Sequence, residues 1–325
     1  MSPRNLVLES SPHLAGGDDT KKVMYTVVVA LLPAAAVAVY YFGLQALLLM
    51  LVTACSAVAF EALILRLMGK PVKVQALDGS AFVTGLLLAM NLPPAAPLWM
   101  ALIGSLVAVF FGKQVFGGIG NNPFNPALVA RVFLLISFPT IMTTWEMPFD
   151  GTTAATPLGI LKMEGPAGLE RWLADSGFMN LLVGNRSGSI GEVSTVALLL
   201  GAVLLMARRI ISWDIPVAFL VAVAVITDLG YLANPGQFAH PMFHLMSGGL
   251  ILGAFFMATD MVTSPVTTKG RLVFGAGCGI LTAVIRLWGG YPEGVSFAIL
   301  IMNSLVPLID RAFVPKVFGQ EASNG

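Results

Sequence analysis

The sequence contains little charge. Asp, Glu, Lys and Arg together make up 11% of its 325 residues, whereas soluble domains carry roughly a quarter. Apolar residues reach 57% and the mean hydropathy is +0.85, so we expect an all-α integral membrane protein. The formal net charge is only +1, which excludes a basic nucleic-acid-binding surface and makes the few Lys and Arg residues signals of membrane topology.

Metal-ligating residues are also scarce. The two cysteines, Cys55 and Cys278, lie in apolar runs without a CxxC motif. They exclude a disulfide framework and an iron–sulfur cluster built from this chain alone. His240 and His244 have i, i+4 spacing, but Pro241 interrupts any helix there and no third ligand is evident, so we predict no metal site. Any redox centre must therefore be non-thiolate or shared with a partner.

Apolar runs of about twenty residues, broken by charge, proline or glycine, predict about ten transmembrane helices. Glycines and prolines around the third run predict that this helix is bent or incomplete. The ten runs lie at 22–42, 44–67, 78–92, 96–112, 124–140, 192–207, 214–233, 242–259, 271–288 and 295–312.

The distribution of Lys and Arg predicts that both termini are cytoplasmic, as segments 1–21 and 313–325. The first apolar run is too long for a signal peptide, so we expect it to be retained. The loop 141–191 then lies on the outer side of a bacterial or archaeal cytoplasmic (inner) membrane.

A weak internal repeat supports this arrangement. SAFVTGLLLAM (80–90) is similar to SGGLILGAFFMATDMVTSP (247–265). Five spans per half is an odd number, so two such halves, 22–140 and 192–312, would have opposite orientations. The expected architecture is therefore a pair of inverted five-helix repeats.

The segment DGTTAATPL (150–158) fits neither a helical nor a strand period. Small residues flank hydroxyl groups there, which would let a bulky group approach, and Asp150 could orient a donor. From the residues alone, a polar turn before Pro157 is the stronger interpretation.

A resemblance to a known family favours the functional interpretation of this segment over the polar turn. The run Asp150, Thr153, Ala154, Ala155 and Thr156 is similar to the acceptor site at which a flavin transferase esterifies FMN phosphate to threonine. Together with SPH (11–13), DGSAFVTGLLLAMNLPP, FGGIGNNPFNP, GSIGEVST and MATDMVTSPVTTKGRLVFGAGCGILTAVIR, it makes the chain resemble the D subunits of Rnf electron-transport complexes. The B subunit of the sodium-translocating NADH:quinone reductase shares several of these motifs. Ala154 replaces the commoner glycine, and the short N-terminus favours the Rnf side.

The resemblance implies two flavins. Thr156 would carry FMN as a phosphoester on the outer side, with Asp150, Thr153 and Ala155 beside it. Glu192 and Ser194 are candidate FMN neighbours, although a capped helix start explains them equally well.

A second flavin, riboflavin held without a covalent bond, is implied deeper among the helices. Asn122 and Asn125 are the candidate contacts, because amide side chains suit the polar edge of an isoalloxazine ring. A Pro/Asn turn opening the fifth span is the alternative.

Ionisable residues at membrane depth are functional candidates by default. Arg131 could pair with a buried carboxylate or stabilise a reduced flavin, and a purely structural ion pair is the alternative. Asp260 is a candidate for contact with an ion or a partner. Glu61 and Asp228 are weaker candidates, which could lie near an interface.

The function implied by the resemblance is that of a redox component in a ferredoxin:NAD oxidoreductase coupled to sodium or proton movement, inactive alone. The sequence contains no dinucleotide fingerprint, so ferredoxin and NAD would be handled by partner subunits, and a flavin transferase would be needed for maturation. A channel or secondary transporter is the main rival, because inverted repeats also build permeation pathways. A quinone-reductase subunit and a scaffold without flavin are further alternatives.

Overall fold

The computed structural model describes residues 19–314, which form helices joined by loops. Within that range the structure has no β-sheet, only an isolated antiparallel bridge between Glu146 and Thr153. The prediction of an all-α protein is therefore confirmed. Its helices are α1 (Thr20–Leu67), α2 (Val72–Gln75), α3 (Ser80–Met90), α4 (Leu98–Phe110), α5 (Pro126–Ser137), α6 (Pro139–Met142), α7 (Pro157–Ser176), α8 (Met179–Val183), α9 (Thr195–Ala207), α10 (Asp214–Ala233), α11 (Pro241–Met246), α12 (Leu250–Leu252), α13 (Thr268–Trp288) and α14 (Val295–Ala312).

Five helices of the described part are long and apolar enough to cross a membrane: α1, α4 with the turn that follows it, α10, α13 and α14. Three shorter apolar helices, α3, α5 and α9, accompany them. The protein is therefore a multi-pass membrane protein. The count of ten spans and the inverted repeat stay predictions.

The long helix α1 is broken at Gly43, which has φ of +69° and ψ of −156°. Such a backbone conformation favours glycine, because a side chain would clash with the backbone at positive φ. The helical segments on either side, 20–42 and 44–67, are each about 35 Å long, enough to cross the roughly 30 Å core of a bilayer. The break lies where the sequence separates the first two predicted spans.

The predicted span 242–259 is wrong as one continuous helix. The chain forms α11, then breaks at Ser247 and Gly248, and resumes as α12 followed by a π-helical turn at Gly253–Met257. Gly248 has φ of +67°, and a Cβ atom there would lie 2.2 Å from Glu293 Oε1. Apolar composition continues through the break, so hydropathy alone cannot reveal it.

The outer loop predicted at 141–191 is more ordered than the sequence suggested, because it contains α7 and α8. Its backbone also meets α1, where the Phe149 N–H donates to the Tyr41 carbonyl at 3.1 Å. We call the end of the bundle formed by segments 138–194, 234–249 and 289–294 the loop end. At the opposite end, Lys70 Nζ donates to the Gly117 carbonyl at 3.5 Å.

Glycines allow the helices to approach closely. A Cβ atom on Gly201 of α9 would lie 1.9 Å from the Ala30 carbonyl oxygen of α1. Gly275 and Gly279 of α13 likewise face the backbone of α10. Small residues at a four-residue spacing are typical of packed membrane helices, where backbone contact replaces the hydrophobic effect.

Candidate functional site

The loop before α7 holds Thr156 in a defined position. Thr156 is the N-cap of α7, and its Oγ1 accepts a hydrogen bond from the Gly159 N–H at 3.0 Å. Ser187 Oγ donates to the Ala155 carbonyl at 2.6 Å. Because the helix macrodipole leaves partial positive charge at its N-terminus, the Thr156 oxygen lies where an anion is stabilised.

Thr156 lines a cavity of about 390 Å³ at the loop end. This volume lies within the roughly 300 to 1,000 Å³ typical of small-molecule sites. The walls combine aromatic and apolar side chains with a few charged ones, which is the usual composition of a cofactor pocket. The apolar part includes Leu135, Met142, Trp145, Tyr291 and Phe297, and the charged part consists of Arg131, Lys162, Arg186, Glu192 and Glu293.

An ion pair joins α5 to the linker between α13 and α14. Arg131 Nη2 lies 2.5 Å from Glu293 Oε2, and Arg131 Nη1 donates to Ser296 Oγ. Glu293 Oε1 accepts from the Gly249 N–H at 2.6 Å. Burial acts to raise the pKa of Glu293, but Arg131, Arg286 and the Gly249 N–H outweigh it and lower that pKa to about 2.

Two further arginines at this end are held by main-chain carbonyls. Arg186 donates to the carbonyls of Met246 and Glu192, both at 2.8 Å. Arg286 donates to the carbonyls of His244 and Ser247 at 2.6 and 3.0 Å. Burial lowers the pKa of Arg186 to about 10, which leaves it charged at neutral pH.

Glu192 lies in the turn Ile190–Glu192 before α9 and is buried. Its Oε1 has no hydrogen-bond partner among the described residues. Burial, and then the nearby Glu293 carboxylate, raise the pKa of Glu192 to about 8, against the opposing effects of Arg131 and Arg186. The Glu192 side chain is therefore mostly protonated at pH 7.

The structure brings together four of the residues predicted from the sequence, since Ala155, Thr156, Glu192 and Arg131 line one cavity. Asp150 and Thr153 are exposed on the same loop and lie outside its lining. Ser194 is buried and caps α9, with Oγ accepting from the Ala197 N–H at 3.2 Å.

A second, smaller cavity of about 90 Å³ lies toward the opposite end. Asn122, Asn125 and Asp260 all line it, together with Lys113. Asp260 accepts from Thr263 Oγ1 at 3.1 Å. The volume is well below the roughly 300 Å³ of ordinary ligand sites, so the cavity does not accommodate an isoalloxazine ring without opening.

Asn125 is occupied by structural hydrogen bonds. Its Oδ1 accepts from the N–H groups of Ala127 and Leu128 at 3.1 and 3.3 Å, and its Nδ2 donates to the Met257 carbonyl at 3.2 Å. The side chain therefore caps α5 and ties it to the π-helical turn. Asn122 makes one local bond, from Nδ2 to the Phe124 carbonyl at 3.2 Å.

Helix α5 connects the two cavities. Ala127 lines the smaller cavity and Arg131, one helical turn further along, lines the larger one. At 1.5 Å of rise per residue, these two positions are about 6 Å apart along the helix axis.

The other two ionisable candidates lie outside both cavities. Glu61 is buried, with Lys113 Nζ at 2.5 Å and Gln114 Nε2 donating at 2.7 Å. Asp228 is exposed on α10 beside Leu229, which is also exposed. Within residues 19–314, no group of three His, Cys, Asp or Glu side chains is arranged to hold a metal ion.

Sequence reasoning missed several residues of the large cavity, notably Lys162, Arg186 and Glu293. Arg186 and Glu293 each follow an Asn or Pro in a glycine-rich loop, NRSGS and GGYPEG. Charged residues in loops of an otherwise apolar chain were the available signal, but only the fold shows that they converge on Thr156.

Taken together, these features define a multi-pass membrane protein with a charged, aromatic-lined cavity beside a half-buried threonine. The sequence model of the NQR2, RnfD, RnfE family matches residues 7–319. The chain belongs to this family.

Curated relatives are similar over nearly the whole chain. The D subunit of the Na(+)-translocating ferredoxin:NAD(+) oxidoreductase complex of Acetobacterium woodii is 46% identical, covering 98% of this chain and 97% of that protein. The D subunit of the proton-translocating ferredoxin:NAD(+) oxidoreductase complex of Clostridium ljungdahlii is 44% identical, covering 97% and 96%. The D subunit of the ion-translocating oxidoreductase complex of Stutzerimonas stutzeri is 46% identical, covering 86% and 87%.

Proposed function

We propose that this chain is the D-type membrane subunit of an ion-translocating ferredoxin:NAD oxidoreductase, and that it carries electrons through FMN esterified to Thr156. The relatives named above are subunits of such complexes. The observation that carries the flavin assignment is the cavity of about 390 Å³ that Thr156 itself lines. Bound flavin supplies reversible electron transfer, while the protein sets its position and charge.

The lining residues fit a flavin phosphoester. The N-terminus of α7 lies at Thr156, and Lys162 lines the same cavity with its Nζ donating to the Arg286 carbonyl at 3.2 Å, so both offer positive charge to a phosphate. Trp145, Tyr291 and Phe297 offer flat apolar surface for a ring system. Arg131 and Arg186 add buried positive charge, which stabilises the negative charge that arrives with an electron.

We assign the second, non-covalent flavin, riboflavin, to the smaller cavity as part of the same proposal. Support comes from Asn122 and Asp260, which line that cavity, and from the single turn of α5 between the two cavities. Because this cavity is too small as it stands, we derive no electron-transfer step through it. Asn122 is the better candidate for a ring contact, since Asn125 is engaged elsewhere.

The remaining parts of the proposal concern setting and partners. The chain would lie in a bacterial or archaeal cytoplasmic membrane with both termini cytoplasmic and the loop end outside. Other membrane and flavoprotein subunits of the complex would exchange electrons with it, and ferredoxin and NAD would bind those partners. A flavin transferase would attach the FMN.

The test is flavin attachment in cells that co-express a flavin transferase. We expect wild-type protein to give a fluorescent band in a denaturing gel and an intact mass increased by one FMN residue, both absent in Thr156→Val. Thr152→Val is the matched control, because it removes an exposed hydroxyl four residues away on the same loop and should stay fluorescent. An unmodified wild-type chain, with the transferase active on a control substrate, would refute the assignment and favour the transporter alternative.

A further inference from the structure

Two glutamates line the large cavity, and Glu192 is the one that forms no ion pair within the described part of the chain. It lines the same cavity as Thr156, and its Oε1 is buried without a hydrogen-bond partner among residues 19–314. A buried polar atom of this kind requires an explanation, since such atoms are rare in folded proteins.

Glu192 and Glu293 converge on one glycine. A Cβ atom added to Gly249 would lie 3.3 Å from Glu192 Oε1 and 3.7 Å from Glu293 Oε1. Two carboxylates this close in a buried site disfavour ionisation of both, and the one with better partners stays ionised. Glu293 has the Gly249 N–H and Arg131 as partners, so the proton resides on Glu192.

The surrounding charges explain why Glu192 responds to an added electron. Five ionisable groups surround it: Glu293 from the α13–α14 linker, Arg131 from α5, Arg186 from its own loop, Arg286 from α13, and Lys162 of α7, which lines the same cavity. Arg131 is committed to Glu293 and Ser296, and Arg186 to main-chain carbonyls. Neutral Glu192 therefore leaves the cavity with an excess of positive charge, and ionised Glu192 reduces that excess.

We propose that Glu192 sets the electron affinity of this cavity through its own protonation. The inference rests on the proposed flavin at Thr156. With the carboxyl neutral, electron entry is favoured by the surrounding arginines. With the carboxyl ionised, entry of one electron is accompanied by uptake of one proton from solvent, which forms an O–H bond at a Glu192 oxygen. Loss of the electron breaks this O–H bond and releases the proton to solvent.

The experiment is a potentiometric titration of the covalent flavin in purified full-length protein over a series of pH values. Because the flavin ring can itself take up protons on reduction, the quantity compared is the difference in slope between wild type and variant. In wild type we expect the midpoint potential to show an additional fall of up to about 59 mV per pH unit above the pH at which Glu192 ionises, one further proton per electron. Glu192→Gln cannot ionise, so it should lack this additional fall, and Glu192→Asp should restore it. Glu164→Gln is the matched control, because Glu164 is exposed and pairs with Arg171 at the surface, so it should behave as wild type.

Equal slopes in wild type and Glu192→Gln at every pH overturn the inference while leaving the flavin assignment intact. A chain that carries no flavin overturns both. An independent measurement needs no flavin: infrared spectra of Thr156→Val at neutral pH should show a protonated carboxyl band that disappears at alkaline pH and that is missing when Glu192→Gln is added, which separates it from other buried carboxyls such as Glu61. An absent band, or a band that Glu192→Gln leaves unchanged, refutes the inference.

Discussion

The two asparagines of NNPFNP, Asn122 and Asn125, are expected to differ in role. Asn125 stabilises the fold, whereas Asn122 is the candidate for contact with a cofactor. Replacing Asn125 with Ala removes the N-cap acceptor of α5 and the donor to the Met257 carbonyl. The cap contributes about 1 kcal/mol. Loss of a buried partner costs about 1–3 kcal/mol, toward the lower end here, because the Met257 carbonyl keeps a long bond from the Asp260 N–H at 3.4 Å.

The expected loss for Asn125→Ala is therefore about 2–3 kcal/mol, measured as the free energy of unfolding in mixed detergent micelles by circular dichroism. Asn125→Asp retains the cap acceptor but places a buried carboxylate oxygen against the Met257 carbonyl, so it should lose at least as much as Asn125→Ala. Asn122→Ala breaks one local hydrogen bond, so its free energy of unfolding should fall by less than about 1 kcal/mol. The same variant should reduce the amount of non-covalently bound flavin in the purified protein. Equal stability of Asn125→Ala and wild type would refute this reasoning.

Two further predictions concern packing and pH. Gly201→Val should reduce the unfolding free energy by about 3 kcal/mol or more, because its side chain would enter the space of the Ala30 carbonyl. In flavin-free protein, the stability difference between wild type and Glu192→Gln should fall as pH rises. A carboxyl whose pKa is raised from 4.5 to about 8 binds its proton more tightly in the folded state, so its stabilising effect is complete below about pH 4.5 and is lost as pH rises through about 8.

Each of these predictions has a control and a contrary outcome. Gly236→Ala has open space, with Asn234 Oδ1 at 3.5 Å as its nearest neighbour, so it should be as stable as wild type. A Gly201→Val protein of unchanged stability would show that α1 and α9 are not in backbone contact. A pH-independent difference between wild type and Glu192→Gln would show that the Glu192 pKa is not raised.

The sequence predicted the helices that hydropathy controls and missed the features that polar contacts control. Helices α10 and α14 begin and end where their apolar runs do, because Asp214 and Asn234-Pro235 bound α10 and Gly294 and Arg311 mark the ends of α14. The break at Gly248 was missed, since it depends on Glu293 filling the space above that glycine, a contact between positions far apart in sequence.

The same division holds at the candidate site. Thr156 could be singled out because its neighbours form a local motif. The partner of Arg131 could not be named, since Glu293 lies 162 residues away along the chain. By its chemistry Asn125 suits either a flavin contact or a turn that opens a helix, and in the fold its amide caps α5 and supports a π-helical turn. Residue chemistry alone cannot distinguish these roles.

The half-buried position of Thr156 has a consequence for biogenesis. Its hydroxyl faces a cavity whose walls come from α5, α7 and the linker before α14, so the acceptor is complete only after both halves of this chain have folded. If Thr156 is the FMN acceptor proposed above, a flavin transferase would have to act at the loop end of the folded chain. Attachment would then follow folding rather than accompany synthesis.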